Sequence, residues 1–142
     1  LAIANETLVK WGAMPELYVA RDGSGLSRND YVAPDALMGL LVQVWRDERH
    51  REKFKSTLPQ SATSGSLANR MKDTPAAARV WAKTGSMSNV RSLSGYLLTL
   101  DGEPLAFSFM TTGFRVPASL IDRTMDEALV RLVKFPRELH EE

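Results

Sequence analysis

Apolar residues are spaced helically through the first part of the chain, and from Ala77 the pattern changes to short runs rich in strand-forming residues. Leu1, Ala4, Leu8 and Trp11 share one stripe of a leading helix that ends near Gly12, a residue suited to the C-cap. Residues 16–20 (Glu-Leu-Tyr-Val-Ala) predict a short strand feeding a loop over 21–30 that holds two glycines and two serines. Pro34 opens a strong helix over 34–47, with Leu37, Leu40, Leu41, Val44 and Trp45 as its apolar stripe. Residues 54–58 and 67–71 read as short helical turns. Three strands are predicted over 80–83, 93–100 and 105–112, the last two joined by the hairpin signal Asp101-Gly102-Glu103-Pro104. The second and third are apolar on both faces, as in a sheet covered by helices on each side. A final helix begins at Pro117, with Leu120, Ile121, Ala128, Leu129, Leu132 and Val133 facing the core. There are no internal repeats, and the class is α+β, an antiparallel sheet with helices.

Composition narrows the functional classes. With 142 residues and 44% hydrophobic content the chain can bury a core. Its 18 basic and 17 acidic residues leave a net charge of +1, which gives no electrostatic footprint for nucleic acid. The basic cluster over 46–55 is interrupted by Asp47, Glu48 and Glu52 and reads as a solvated helix face. Cysteine is absent, which excludes disulfides and thiolate metal sites. The two histidines, His50 and His140, lie far apart among charged residues, which argues against a metal site and a Ser-His-Asp triad. No apolar run is long enough for a transmembrane helix.

The candidate chemistry centres on Lys83-Thr84-Gly85, followed by Ser86, at the end of the predicted strand. A cation, a hydroxyl donor and a glycine there suit acyl transfer on a substrate that ends in a free carboxylate. Taken alone, the triplet is a weak signal and reads first as an ordinary exposed lysine before a turn. Arg21-Asp22-Gly23-Ser24-Gly25-Leu26-Ser27-Arg28, the pair Leu58-Pro59, the Gly65-Ser66-Leu67 segment ending at Arg70, and the stretch from Lys83 to Tyr96 follow one another in order. Together these patches closely resemble the C-terminal part of the class C low-molecular-mass penicillin-binding proteins, the D-alanyl-D-alanine carboxypeptidases and endopeptidases of peptidoglycan. The resemblance runs from about Val19 to about Thr112. It implies the C-terminal portion of a penicillin-recognising, β-lactamase-like transpeptidase domain and a periplasmic or cell-envelope location.

By that resemblance, Lys83 sits beside the nucleophile, Thr84 and Ser86 bind the substrate carboxylate along the Gly85 strand edge, and the Ser86 N–H is half of an oxyanion hole. Arg28 and Met87 line the pocket for the peptidoglycan side chain, where an arginine fork suits a diaminopimelyl carboxylate. A second reading makes Arg28 a salt-bridge partner of Asp22 or Asp30, and Met87 a core filler. Asp22, Ser24 and Ser27 support the loop through side-chain to backbone hydrogen bonds. No metal or organic cofactor is called for, and the partners are a stem peptide or β-lactam.

One departure is large: no Ser-x-x-Lys occurs in these residues. The nearest pattern is Thr7-Leu-Val-Lys10, where Lys10 reads as a solvated helix residue. Ser27-Arg28-Asn29 fits the letters of the family's Ser-x-Asn motif but not its place in the order. The expectation is therefore a C-terminal piece, residues 1–142, of a single transpeptidase-like domain whose nucleophile lies on an absent N-terminal part, with this chain alone inactive. The chain starts with leucine, which agrees with a cut or processed start. A small β-lactamase- or esterase-like hydrolase and a non-catalytic β-lactam- or peptide-binding protein are the alternatives.

Overall fold

Helix-terminating chemistry acts as predicted at the start of the chain. In the computed structural model, which describes residues 2–136, α1 (Ala2–Lys10) ends in a Schellman motif. The Gly12 N–H donates to Val9 C=O at 3.0 Å and the Ala13 N–H to Leu8 C=O at 2.9 Å, with Gly12 at φ +87°. The apolar stripe of α1 does not become a core face. Leu1 lies outside the described residues, Ala4 and Trp11 are exposed, and Leu8 is half-buried. Leu8 instead lines an apolar cavity of about 330 Å³ with Ala13, Tyr18, Ala36, Leu37 and Leu40.

The strand expected over 16–20 is shorter. Pro15 starts a 3-10 turn, Pro15–Leu17, and only β1 (Tyr18–Val19) is extended. It pairs antiparallel with the unpredicted β2 (Tyr31–Val32), so the glycine loop closes a two-stranded ribbon. α2 (Pro34–Arg46) follows the predicted pattern, burying Leu41 and Val44 and also Ala36. The turn expected over 54–58 is the end of a full helix, α3 (Glu48–Thr57). Asp47 starts α3 early, because its carboxylate accepts the Arg49 N–H at 3.0 Å and so caps the first turn. His50 also bonds Asp47 at 2.8 Å, and with Arg49 it holds that carboxyl down to about 2. α3 buries no residue, so the basic cluster is the solvated face expected of it. His140 lies outside the described residues.

The chain divides into two compact units, Leu1–Phe54 and Lys55–Glu142. The second is built on β3 (Val80–Met87), β4 (Val90–Leu98) and β5 (Pro104–Thr112), paired antiparallel in the order β3-β4-β5. β3 runs four residues past its predicted end, because every residue from Val80 to Met87 finds a partner on β4. α4 (Ala118–Val133) lays Met125, Leu129 and Val133 on the sheet face that carries Val80, Ala82, Leu93, Leu97 and Phe107. Met125 completes an i, i+4 row with Ile121, Leu129 and Val133, while the predicted Leu120 is 45% exposed. On the opposite face Tyr96 is also buried, and Lys55 stands over the Trp81 ring at 5.1 Å. The turn expected over 67–71 is displaced to a 3-10 turn at Gly65–Leu67.

The Lys-Thr-Gly strand edge as a candidate active site

Between Leu58 and Val80 the chain has little regular structure, and buried hydrogen bonds position it instead. Ser61 is fully buried; its hydroxyl donates to Ala76 C=O at 2.6 Å and accepts the Val80 N–H at 3.2 Å. Ser61 N–H donates to Val80 C=O, and Ala82 N–H donates to Pro59 C=O, both at 2.9 Å. This short segment therefore covers the outer edge of β3 as far as Ala82.

Those bonds also orient the rest of the strand. In an antiparallel pair alternate residues turn their N–H and C=O away from the partner. Val80 and Ala82 do so here, and the β3–β4 register continues unbroken to Met87 paired with Val90. Thr84 and Ser86 consequently direct their backbone groups to the same outer edge, where β3 has no strand neighbour among the described residues.

Side chains converge there from both faces. Lys83 is exposed and lies on the opposite face from Thr84, yet its ammonium reaches the edge and donates to Thr84 C=O at 2.7 Å. The Thr84 hydroxyl donates to Ser66 Oγ at 3.1 Å. A cation, two hydroxyls and outward N–H groups thus gather along a few residues of edge, an arrangement that favours an anion. Gly85 has its own packing reason. A Cβ on it would collide with Ser92 Oγ, its partner across the β3–β4 pair. Ser86 is exposed at the edge, and Met87 is half-buried on the other face. The Met87 carbonyl accepts Arg91 Nη1 at 3.0 Å, which ties down the hairpin that follows.

The glycine loop, in the first unit, is organised by its own acids. The Asp22 carboxylate accepts the Ser24 hydroxyl at 2.6 Å and the Ser24 N–H at 2.8 Å, and these bonds from Ser24 lower its pKa. Ser24 Oγ accepts the Leu26 N–H at 3.1 Å and Ser27 Oγ the Asn29 N–H at 3.2 Å. Asp30 accepts the Arg21 N–H at 2.6 Å. Arg28 is exposed, and neither Asp22 nor Asp30 forms a salt bridge with it among the described residues. In α1, the Thr7 hydroxyl donates back to Ile3 C=O at 2.8 Å, a bond that suits a helix residue rather than a nucleophile.

Sequence reasoning missed three supports of the strand edge. Ser66 lay within a quoted segment without a role. Arg70 forks onto Asp126 of α4, with Nη2 to Oδ1 at 2.7 Å and Nε to both oxygens at 3.1 Å, and also donates to Asp122 C=O at 3.2 Å. Ser61 carried no motif at all. An arginine followed by an Asp-x-x-x-Asp helix face was the one readable signal, and it is too common to single out a pair.

An antiparallel sheet closed by a C-terminal helix, with Lys-Thr-Gly on an edge strand, has counterparts among penicillin-binding proteins of known structure. Penicillin-binding protein 4 (dacB) of Haemophilus influenzae superposes with a TM-score of 0.82 at 26% identity, over 94% of this chain and 31% of that one. The same protein complexed with a novel β-lactam gives 0.81 at 27% identity, over 92% and 32%. The D-Ala-D-Ala carboxypeptidase 3 (S13) family matches residues 1–134, and this chain belongs to that family. The match is wider than the stretch from Val19 to Thr112 that the motifs covered. A D-alanyl-D-alanine carboxypeptidase of Actinomadura sp. (strain R39) is 41% identical over 82% of this chain and 22% of its own length. A penicillin-sensitive carboxypeptidase A of Dictyostelium discoideum is 36% identical over 84% and 24%. The chain thus spans about a quarter of the curated relatives it matches.

Proposed function

We propose that this chain is the C-terminal part of a single transpeptidase-like domain in a serine-type D-alanyl-D-alanine carboxypeptidase/endopeptidase. The whole enzyme acts on peptidoglycan stem peptides in the cell envelope or periplasm and is acylated by penicillins. Its nucleophilic serine and proton-handling lysine come from a Ser-x-x-Lys motif, which these 142 residues lack. The observation that carries the reading is the donor-rich edge of β3, where the Lys83 ammonium lies 2.7 Å from Thr84 C=O, in a chain of this family.

In this reading the substrate lies along the β3 edge. Lys83 leaves Thr84 C=O to meet the terminal D-alanine carboxylate and holds positive potential beside the nucleophile. Thr84 and Ser86 donate to that carboxylate. The outward Ser86 N–H stabilises the oxyanion as the nucleophile adds to the scissile carbonyl, a donor worth ~100- to 1000-fold in rate. The terminal D-alanine leaves, and water releases the acyl group. Arg28 and Met87 contact the stem-peptide side chain, and Asp22, Ser24 and Ser27 support the loop that presents Arg28. No metal or organic cofactor takes part.

Fluorescent penicillin labelling of the full-length enzyme tests the reading. Wild type should be acylated at one serine outside this segment, and Lys83→Ala should label at least ~10-fold more slowly. The segment expressed alone should take up no label. An acyl adduct on Ser24, Ser27, Ser86 or Thr7 would overturn the assignment.

A further inference from the structure

The 3-10 turn at Gly65–Leu67 is held more firmly than a surface turn requires. Leu67 is fully buried in the core beneath the sheet. The Ala62 N–H is shared between Leu67 C=O at 3.0 Å and Arg70 C=O at 3.1 Å. Gly65 sits at φ +54°, with Pro59 side-chain atoms 3.1 Å from where a Cβ would stand. Arg70 fastens the end of the segment to α4 through Asp126. Within this frame one polar side chain, Ser66, is presented to the β3 edge, 3.1 Å from Thr84 Oγ1.

The direction of that bond matters. A hydroxyl carries one proton and two acceptor lone pairs. Thr84 donates and Ser66 accepts, so the Ser66 proton is left over, and among the described residues it has no acceptor. Ser66 is exposed, on the edge that already carries the Lys83 ammonium. Two hydroxyls 3.1 Å apart can both reach one carboxylate once Thr84 turns its single proton from Ser66 to that anion, as Lys83 leaves Thr84 C=O to meet it.

We propose that Ser66 is a further substrate-binding residue, whose hydroxyl donates alongside Thr84 to the C-terminal carboxylate of the bound peptide. The inference rests on the carboxypeptidase reading above, because it takes that carboxylate as the ligand. Ser66 is then a determinant of selectivity for a free C-terminus and is not needed for acyl transfer itself.

The full-length enzyme tests this with an N-acyl-D-alanyl-D-alanine peptide and its C-terminal carboxamide. Ser66→Ala should lower kcat/KM for the acid by ~10-fold or more, mainly through KM, and change the amide little; Ser66→Thr should restore the acid. The acid-to-amide ratio is taken within each variant, so a smaller folded fraction does not alter it. An unchanged ratio in Ser66→Ala overturns the proposal. Thr84→Ala and Lys83→Ala separate the two layers of the argument. If they collapse the ratio while Ser66→Ala does not, Ser66 alone is misassigned. If none of the three moves it, the edge does not hold the carboxylate, and the carboxypeptidase reading fails with the inference.

Discussion

Gly95 of β4 lies against Ala82 of β3 so closely that a Cβ added to Gly95 would stand 2.7 Å from Ala82 Cα and 2.9 Å from Ala82 Cβ. Backbone, not a movable side chain, fills the space. The strand that carries Lys83 and Thr84 is therefore set by the absence of one methyl group on its neighbour.

Gly95→Ala should accordingly separate β3 from β4 locally and cost about 2–3 kcal/mol, the upper part of the range for overpacking. Gly85→Ala meets only Ser92 Oγ, which can turn to another rotamer, and should cost under about 1 kcal/mol. Urea unfolding of the two variants measures the contrast, and equal losses would show that Ser92 cannot move.

Arg70 and Asp126 form a partly buried, two-pronged ion pair, with 18% and 20% of their side chains exposed. Removing one partner strands the other, so Arg70→Ala should lose about 2–3 kcal/mol, less than for a fully buried pair. Asp126→Asn, which keeps an acceptor, should lose less. In a double-mutant cycle the combined loss should fall short of the sum of the single losses, because the two side chains share one interaction.

Tyr96 is 2% exposed, and burial pushes its hydroxyl up to about 12. The folded pKa stands above the unfolded value of 10, so the folded state holds the phenol proton more tightly. That stabilisation is complete below pH 10 and is lost as the pH rises from 10 towards 12. Alkaline unfolding should therefore steepen in this window, and Tyr96→Phe should flatten it. Absorbance at the phenolate band should show one late-titrating tyrosine that is missing from the variant.

Lys83 and Arg28 should differ in what they sense. In the full-length enzyme Lys83→Ala should depress acylation by peptide and penicillin alike, while Arg28→Ala should lower kcat/KM by ~10- to 100-fold only for peptides with a diaminopimelyl carboxylate. Equal losses with penicillin in Arg28→Ala would make Arg28 a structural residue of its loop.

Much of the fold was legible because it rests on local rules. Gly12 ends α1 and Pro34 opens α2, since a positive φ and a fixed φ are properties of single residues. The apolar runs marked β4, β5 and α4 to within a few residues. The Lys83-Thr84-Gly85 motif needed only adjacency along the chain. The misses were of another kind. β2 is two residues long and exists only through its pairing with β1, and α1's stripe does not become a core face, two of its residues staying exposed. Met125 entered the core in place of Leu120 because the sheet, not the helix pattern, selected which row faces inward.

The sequence by itself determined the family, the helix boundaries set by glycine and proline, and the candidate cation and hydroxyl at residues 83 and 84. Tertiary structure alone decided what surrounds them. That Thr84 meets Ser66 across 18 positions, that the segment from Pro59 to Ser61 seals the edge of β3 only as far as Ala82, and that Arg70 locks the turn to α4 all depend on distant segments meeting in space. Such pairings depend on long-range contacts, which no local spacing encodes, so they can be read only once the sheet has formed.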